Sequence, residues 1–279
     1  MATDFLLWAS AALLGLVMGS FLNVVIYRLP RMLETQWAEA IHEQNPDTST
    51  NRLTPKPFNI AIPGSHCPHC GHVLSWYENI PVLSYLALQG RCSQCHTAIG
   101  WRYPVIELVT SALFVWSFSR YGLSGAALAW AGFAAALLTL AAIDADTTLL
   151  PDAITQPLVW AGLLAANMGW SHVSLSTALW GAVAGYLFLW SVYWLFKLVT
   201  GKEGMGQGDF KLLAGLGAWL GWPALLSLVL MASITGACVG MWLRVRQRLP
   251  KDGYIPFGPF LALAGLWVMA FGHLPGLAV

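Results

Sequence analysis

Eight long apolar stretches alternate with short polar ones along this chain, at residues 5–29, 103–119, 123–143, 154–170, 175–199, 210–222, 223–243 and 255–271. None shows the strict alternation of a half-buried strand, and most reach the ~20 apolar residues that a helix needs to cross about 30 Å of hydrocarbon. In lipid a segment must satisfy its backbone groups internally, so these stretches predict helices. The stretch 210–222 is short for a crossing and predicts a tilted helix, a half-helix or one paired with a neighbour. Between the first two stretches hydropathy collapses over residues 31–102, the one extramembrane region of domain size. Within it, 34–43 reads as a short surface helix, and 45–56, polar with prolines, as a loop.

The pattern predicts an all-α polytopic membrane protein of about eight transmembrane helices, divided as a first helix (1–30), an insert (31–102) and a membrane core (103–279). Composition agrees, with 57% hydrophobic residues, 10% charged and 15 Trp. A net charge of +1 excludes a nucleic-acid binder. The N-terminus lacks a basic stretch before its apolar run and a small-residue cleavage site after it, so the first stretch reads as a retained helix. Placing the insert in the cytoplasm puts thirteen of the fourteen Lys and Arg on that side and only Arg120 on the other. This positive-inside asymmetry supports an even number of crossings.

The insert carries the most specific local pattern, Cys67-Pro68-His69-Cys70 and Cys92-Ser93-Gln94-Cys95, separated by 21 residues. Four thiolates close a tetrahedral Zn²⁺ site and leave no open position for catalysis, so Cys67, Cys70, Cys92 and Cys95 predict a structural staple. An insert this small has little core and needs one. His66, His69, His72 and His96 crowd the knuckles; any could replace a Cys, though such residues more often support the ligands from outside. The fifth, Cys238, stands alone in an apolar stretch and reads as a packing residue.

Two acidic sites open directly onto apolar stretches. Asp144 closes one, in Asp144-Ala145-Asp146; Asp209 opens another, in Gly204-Met205-Gly206-Gln207-Gly208-Asp209-Phe210-Lys211. Carboxylates are expensive there and therefore suspect as chemistry. Two aspartates sharing a site cannot both ionise, so one stays protonated while the other activates water, which suits amide hydrolysis. No G-x-S-x-G or H-E-x-x-H competes. Asp152 fits a helix cap, Glu107 an Arg partner or an interfacial position, and Asn23 a packing hydrogen bond. On residue types alone, an aspartyl hydrolase stands beside an ion-pathway or structural role. A transporter would place charges mid-span and often show repeated halves, neither of which is evident.

These features together resemble the bacterial prepilin peptidases, type IV leader peptidases of the GxGD aspartyl protease class, over almost the whole chain. The resemblance rests on residues 19–30 of the first stretch, the two Cys pairs, the D-x₆-P-D pattern from Asp144 to Asp152, and Gly206-Gln207-Gly208-Asp209-Phe210-Lys211. It implies a bacterial inner-membrane enzyme whose catalytic pair is Asp144 and Asp209. Its substrates would be type IV prepilins and type II secretion pseudopilins, cut at the cytoplasmic face after a glycine. It also implies N-methylation of the new terminus, usually Phe, with S-adenosylmethionine. No strand followed by G-x-G-x-x-G marks a pocket for that donor.

Overall fold

A computed structural model describes residues 2–44, 58–202, 204–248 and 255–272. The chain is helical, and among the described residues β-pairing is limited to two isolated bridges, His66 with Val73 and Arg91 with Ala98. Each of the eight apolar stretches forms a helix. They are α1 (Ala2–Gln44), α3 (Arg102–Tyr121), α4 (Gly125–Thr147), α5 (Asp152–Asn167), α6 (Leu175–Thr200), α7 (Gln207–Leu220), α8 (Ala224–Val245) and α9 (Gly258–Phe271), with a short α2 (Leu83–Ala87) in the insert. Among the described residues, four helices are long and apolar enough by themselves to cross a membrane: α1, α4, α6 and α8. The chain divides into two compact units, Met1–Leu123 and Ser124–Val279.

In the first unit, α1 does not stop at Leu29 but continues through Pro30 and absorbs the surface helix expected at 34–43. Proline removes one backbone bond, a loss that membrane helices tolerate. At 1.5 Å per residue, α1 is roughly 65 Å long, about twice the hydrocarbon thickness. It runs antiparallel to α3 on a seam set by Gly15 and Gly19. A methyl group on either would lie 2.6 Å from the Cα of Ser111 or Glu107, so this seam closes only over small residues. Asn23 continues the row, and its Nδ2 donates to the Tyr103 carbonyl at 3.1 Å, the packing bond expected of it. Glu107 accepts the Val82 N–H at 2.8 Å rather than an Arg. Val82 has a left-handed φ of 59° at the start of α2, and the carboxylate pins that turn.

The second unit is built around α7. From Asp209 to Leu220, every residue of this helix except Lys211 is buried, the mark of a helix enclosed by others. On one side Gly217 presses its backbone against Gly181 of α6. On another, Trp219 packs on Phe133 of α4 at 4.8 Å between ring centroids and donates its indole N–H to the Leu158 carbonyl at 2.9 Å. Fourteen residues span only about 21 Å. Thus α7 is short because its neighbours cover it, as the expectation of pairing required. Cys238, in contrast, is exposed on α8 rather than packed.

Candidate active site and metal centre

Asp144 lies in the last turn of α4 and Asp209 in the first turn of α7; both are buried, at 4% and 3% exposure. They are close enough for their charges to interact. The turn after Asp144 is closed by Thr148, left-handed at φ 55°, whose N–H donates to the Asp144 carbonyl at 2.9 Å. The Asp144 side chain then reaches the start of α9, where Gly258 N–H donates to Oδ2 at 2.9 Å. A side chain on Gly258 would put its Cβ 2.5 Å from that oxygen. Leu150 packs in the same corner, and a Cβ on Gly208, just before Asp209, would lie 2.5 Å from its Cβ. The glycine before Asp209 therefore serves close approach. Asp146, two residues from Asp144, is exposed.

Asp152 is the first residue of α5, not its cap, which is Pro151. Its carboxylate receives Lys211 Nζ at 2.6 and 2.7 Å, so it joins the loop after Asp144 to α7, which carries Asp209 in its first turn. Both partners are partly exposed, at 30% and 53%, and such a pair contributes less than about 1 kcal/mol to stability. It ties the start of α5 to the first turn of α7, next to Asp209, a geometry suited to registering the two aspartates. Lys211→Met is expected to leave the unfolding midpoint almost unchanged yet slow turnover on the order of tenfold, because small misplacements of reacting groups are costly. Lys211→Arg should recover most of the rate. Equal rates for Lys211→Met and the parent would remove this positioning role.

The four knuckle cysteines come together, with all four Sγ atoms within 4.8 Å of one another. Cys67 and Cys95 are 3.8 Å apart and Cys70 and Cys92 3.9 Å. The edge of a tetrahedron with Zn–S bonds of about 2.3 Å is also about 3.8 Å. The two knuckles share one design. Cys67 N–H donates to His72 O at 2.9 Å and Cys92 N–H to Thr97 O at 3.0 Å, each around a left-handed residue, Gly71 or His96. The cluster consists of cysteines alone, so none of the four histidines replaces a thiolate among the described residues. The donor set fits a metal ion.

Sequence comparison agrees with this geometry. The family model for the bacterial peptidase A24 N-terminal domain matches residues 13–121, and that for the type IV leader peptidase family matches 131–241. A prepilin leader peptidase/N-methyltransferase of Burkholderia pseudomallei (strain 1026b) is 52% identical over 264 residues, covering 95% of this chain and 85% of the relative. The chain belongs to the type IV leader peptidase family. Proteins of the same name from Pseudomonas aeruginosa PAO1 and Aeromonas hydrophila are each 50% identical, over 262 and 266 residues, covering 93% of this chain and 89% of theirs. No solved structure matches.

Two further residues that the sequence pattern does not mark hold the insert, Arg28 of α1 and Glu78 of the insert itself. Arg28, 6% exposed near the end of the first apolar stretch, donates to the carbonyls of Asn59 at 3.0 Å and Ile60 at 3.2 Å. It fastens the strand of chain that leads into the first knuckle. Glu78 joins the two knuckles. Ser93 from the second knuckle, the Ser75 N–H at 2.7 Å and His72 Nε2 at 3.1 Å all donate to its carboxylate and hold its pKa down to about 2. This contribution is complete above the usual carboxylate range and is lost progressively as pH falls from there through about 2.

Proposed function

We infer that this chain is a membrane aspartyl endopeptidase that removes the basic leader of type IV prepilins and type II pseudopilins after a glycine, and that it N-methylates the new terminus. The observation that carries the peptidase reading is the burial of Asp144 and Asp209 together at the ends of α4 and α7. The two activities of the prepilin leader peptidase/N-methyltransferases to which it is similar support both. Asp144 and Asp209 form the catalytic pair. The ionised carboxylate takes a proton from water, whose oxygen attacks the scissile carbonyl carbon, while the protonated carboxyl donates to the carbonyl oxygen. Collapse of the tetrahedral intermediate breaks the C–N bond, and the departing amine takes a proton from the pair. The products are a leader with a new carboxylate and a pilin with a free amine.

Cys67, Cys70, Cys92 and Cys95 would hold a structural Zn²⁺, which supplies folding energy to the insert and leaves no coordination position for substrate. S-adenosylmethionine supplies the methyl group for the new amine. The distribution of basic residues supports a cytoplasmic insert in a bacterial inner membrane, with both aspartates on the cytoplasmic side. The bilayer would then align a prepilin, whose apolar helix follows its leader, with its cleavage bond at that face.

The purified full chain in detergent, given a full-length prepilin, is expected to release the leader, with mass spectrometry placing the cut after a glycine. Failure of folded protein to cut any prepilin or pseudopilin would return the buried acids to an ion pathway.

A further inference from the structure

An open apolar groove of about 470 Å³ lies between α4 and α5 in the second unit. Its α5 wall includes a row of small residues spaced by four, Ala153, Pro157, Ala161 and Ala165, beside the larger Ile154, Leu158, Leu164 and Met168, and its α4 wall includes Gly132 and Ala136. Phe133 and Trp219 also line it. We propose that this groove seats the apolar helix that follows the scissile bond of a prepilin, a proposal that rests on the peptidase reading above.

The α5 end of the groove adjoins the ion pair that ties α5 to α7. Ala153 directly follows Asp152, which holds Lys211 two residues beyond Asp209. The α4 wall leads from Ala136 to Asp144 in eight residues, roughly 12 Å of helix. From Ala153 to Met168 the groove follows the whole of α5, about 22 Å. An apolar helix laid along it would therefore present its first residues, and the bond before them, at the end where Asp144 and Asp209 stand. The small-residue walls favour a helix over an acyl chain, because backbone-to-backbone approach is what requires them. The chain uses the same device at Gly15 and Gly19 against α3 and at Gly217 against α6.

Filling the groove is the test. Ala161→Phe, assayed as the full chain in detergent on a full-length prepilin, is expected to raise KM about tenfold while kcat stays within about twofold, the pattern of lost substrate binding. Ala112→Phe, the same enlargement at an exposed position on α3, controls for bulk alone and should behave as the parent. An unchanged KM for folded Ala161→Phe would overturn the proposal and leave the groove to lipid. Should Ala161→Phe fail to fold, Gly132→Cys in a Cys238→Ala background decides. Disulfides to single cysteines walked along the prepilin helix should form with a period of three to four residues. No periodic disulfide, or a disulfide joining two copies of the enzyme instead, would overturn the assignment. A parent chain that cuts no prepilin would refute the peptidase reading itself, whereas a cutting parent with indifferent groove variants refutes only the groove.

Discussion

Asp144→Asn and Asp209→Asn are each expected to abolish prepilin cleavage, by at least about a thousandfold, while Asp146→Asn should retain most of it. A positioned acid–base group contributes on the order of 10²–10⁴ to rate, and a water-activating pair needs one member in each protonation state. Asn supplies neither a base nor a transferable proton, so either replacement removes a required partner rather than weakening it. Both side chains are buried, and Asn keeps the volume, so folded and membrane-inserted variants are expected at parental levels. Asp144→Asn also keeps an oxygen that can accept the Gly258 N–H, which preserves the corner made with α9. Asp146 faces outward and lies outside that corner. The measurement is initial rate for equal amounts of inserted protein. The pair titrates as a unit, so the parent should give a bell-shaped pH profile whose limbs belong to the dyad and not to either residue. Normal cleavage by Asp144→Asn with an inactive Asp146→Asn would move the site two residues along α4.

The helices were legible because lipid permits few alternatives, and uninterrupted apolar stretches announce them. Their ends were less so. Pro30 reads as a stop in water, yet α1 carries it and runs on to Gln44. The acid pair was legible for the reason that made it suspicious: a carboxylate beside an apolar stretch is costly, and two such loops need an explanation. What completes the corner was not. Gly258 meets Asp144 across 114 positions, and nothing in its local sequence signals a hydrogen bond to an aspartate. Asp152 carries a strong local reading as a helix cap, and its partner Lys211 is 59 positions away. Arg28 looks like one more cytoplasmic charge, although its guanidinium is buried among carbonyls of the insert. Residues whose role depends on a distant backbone group leave no periodic trace. The cysteines leave one because both halves of each knuckle are adjacent in sequence.

Replacing Cys67 and Cys70 together with Ser is expected to strip the zinc and unfold the insert while sparing the second unit. From 58 to 101, Cys92 is the sole buried apolar residue, and Trp76 and Trp101 stand 81% and 73% exposed. The hydrophobic contribution to this segment is therefore small, coming from half-buried residues such as Leu74, Val82 and Leu88. Zinc binding in comparable small domains supplies roughly 10–16 kcal/mol at neutral pH, far more than the hydrogen bonds of Glu78 and Arg28 can replace at about 1–3 kcal/mol each. Two serines leave two thiolates, too few to close a tetrahedral site. The segment should become the first point of protease attack, and a chelator should produce the same pattern in the parent. Residues 124–279 carry both aspartates on a packing scheme of their own around α7, so cleavage should fall only partly. Methylation should fall further if the insert carries that second activity. Metal content per mole, measured beside protease mapping and the two product assays, checks each step. Parental zinc in the double variant would end the metal assignment, and a second unit that unfolds with the insert would end its independence.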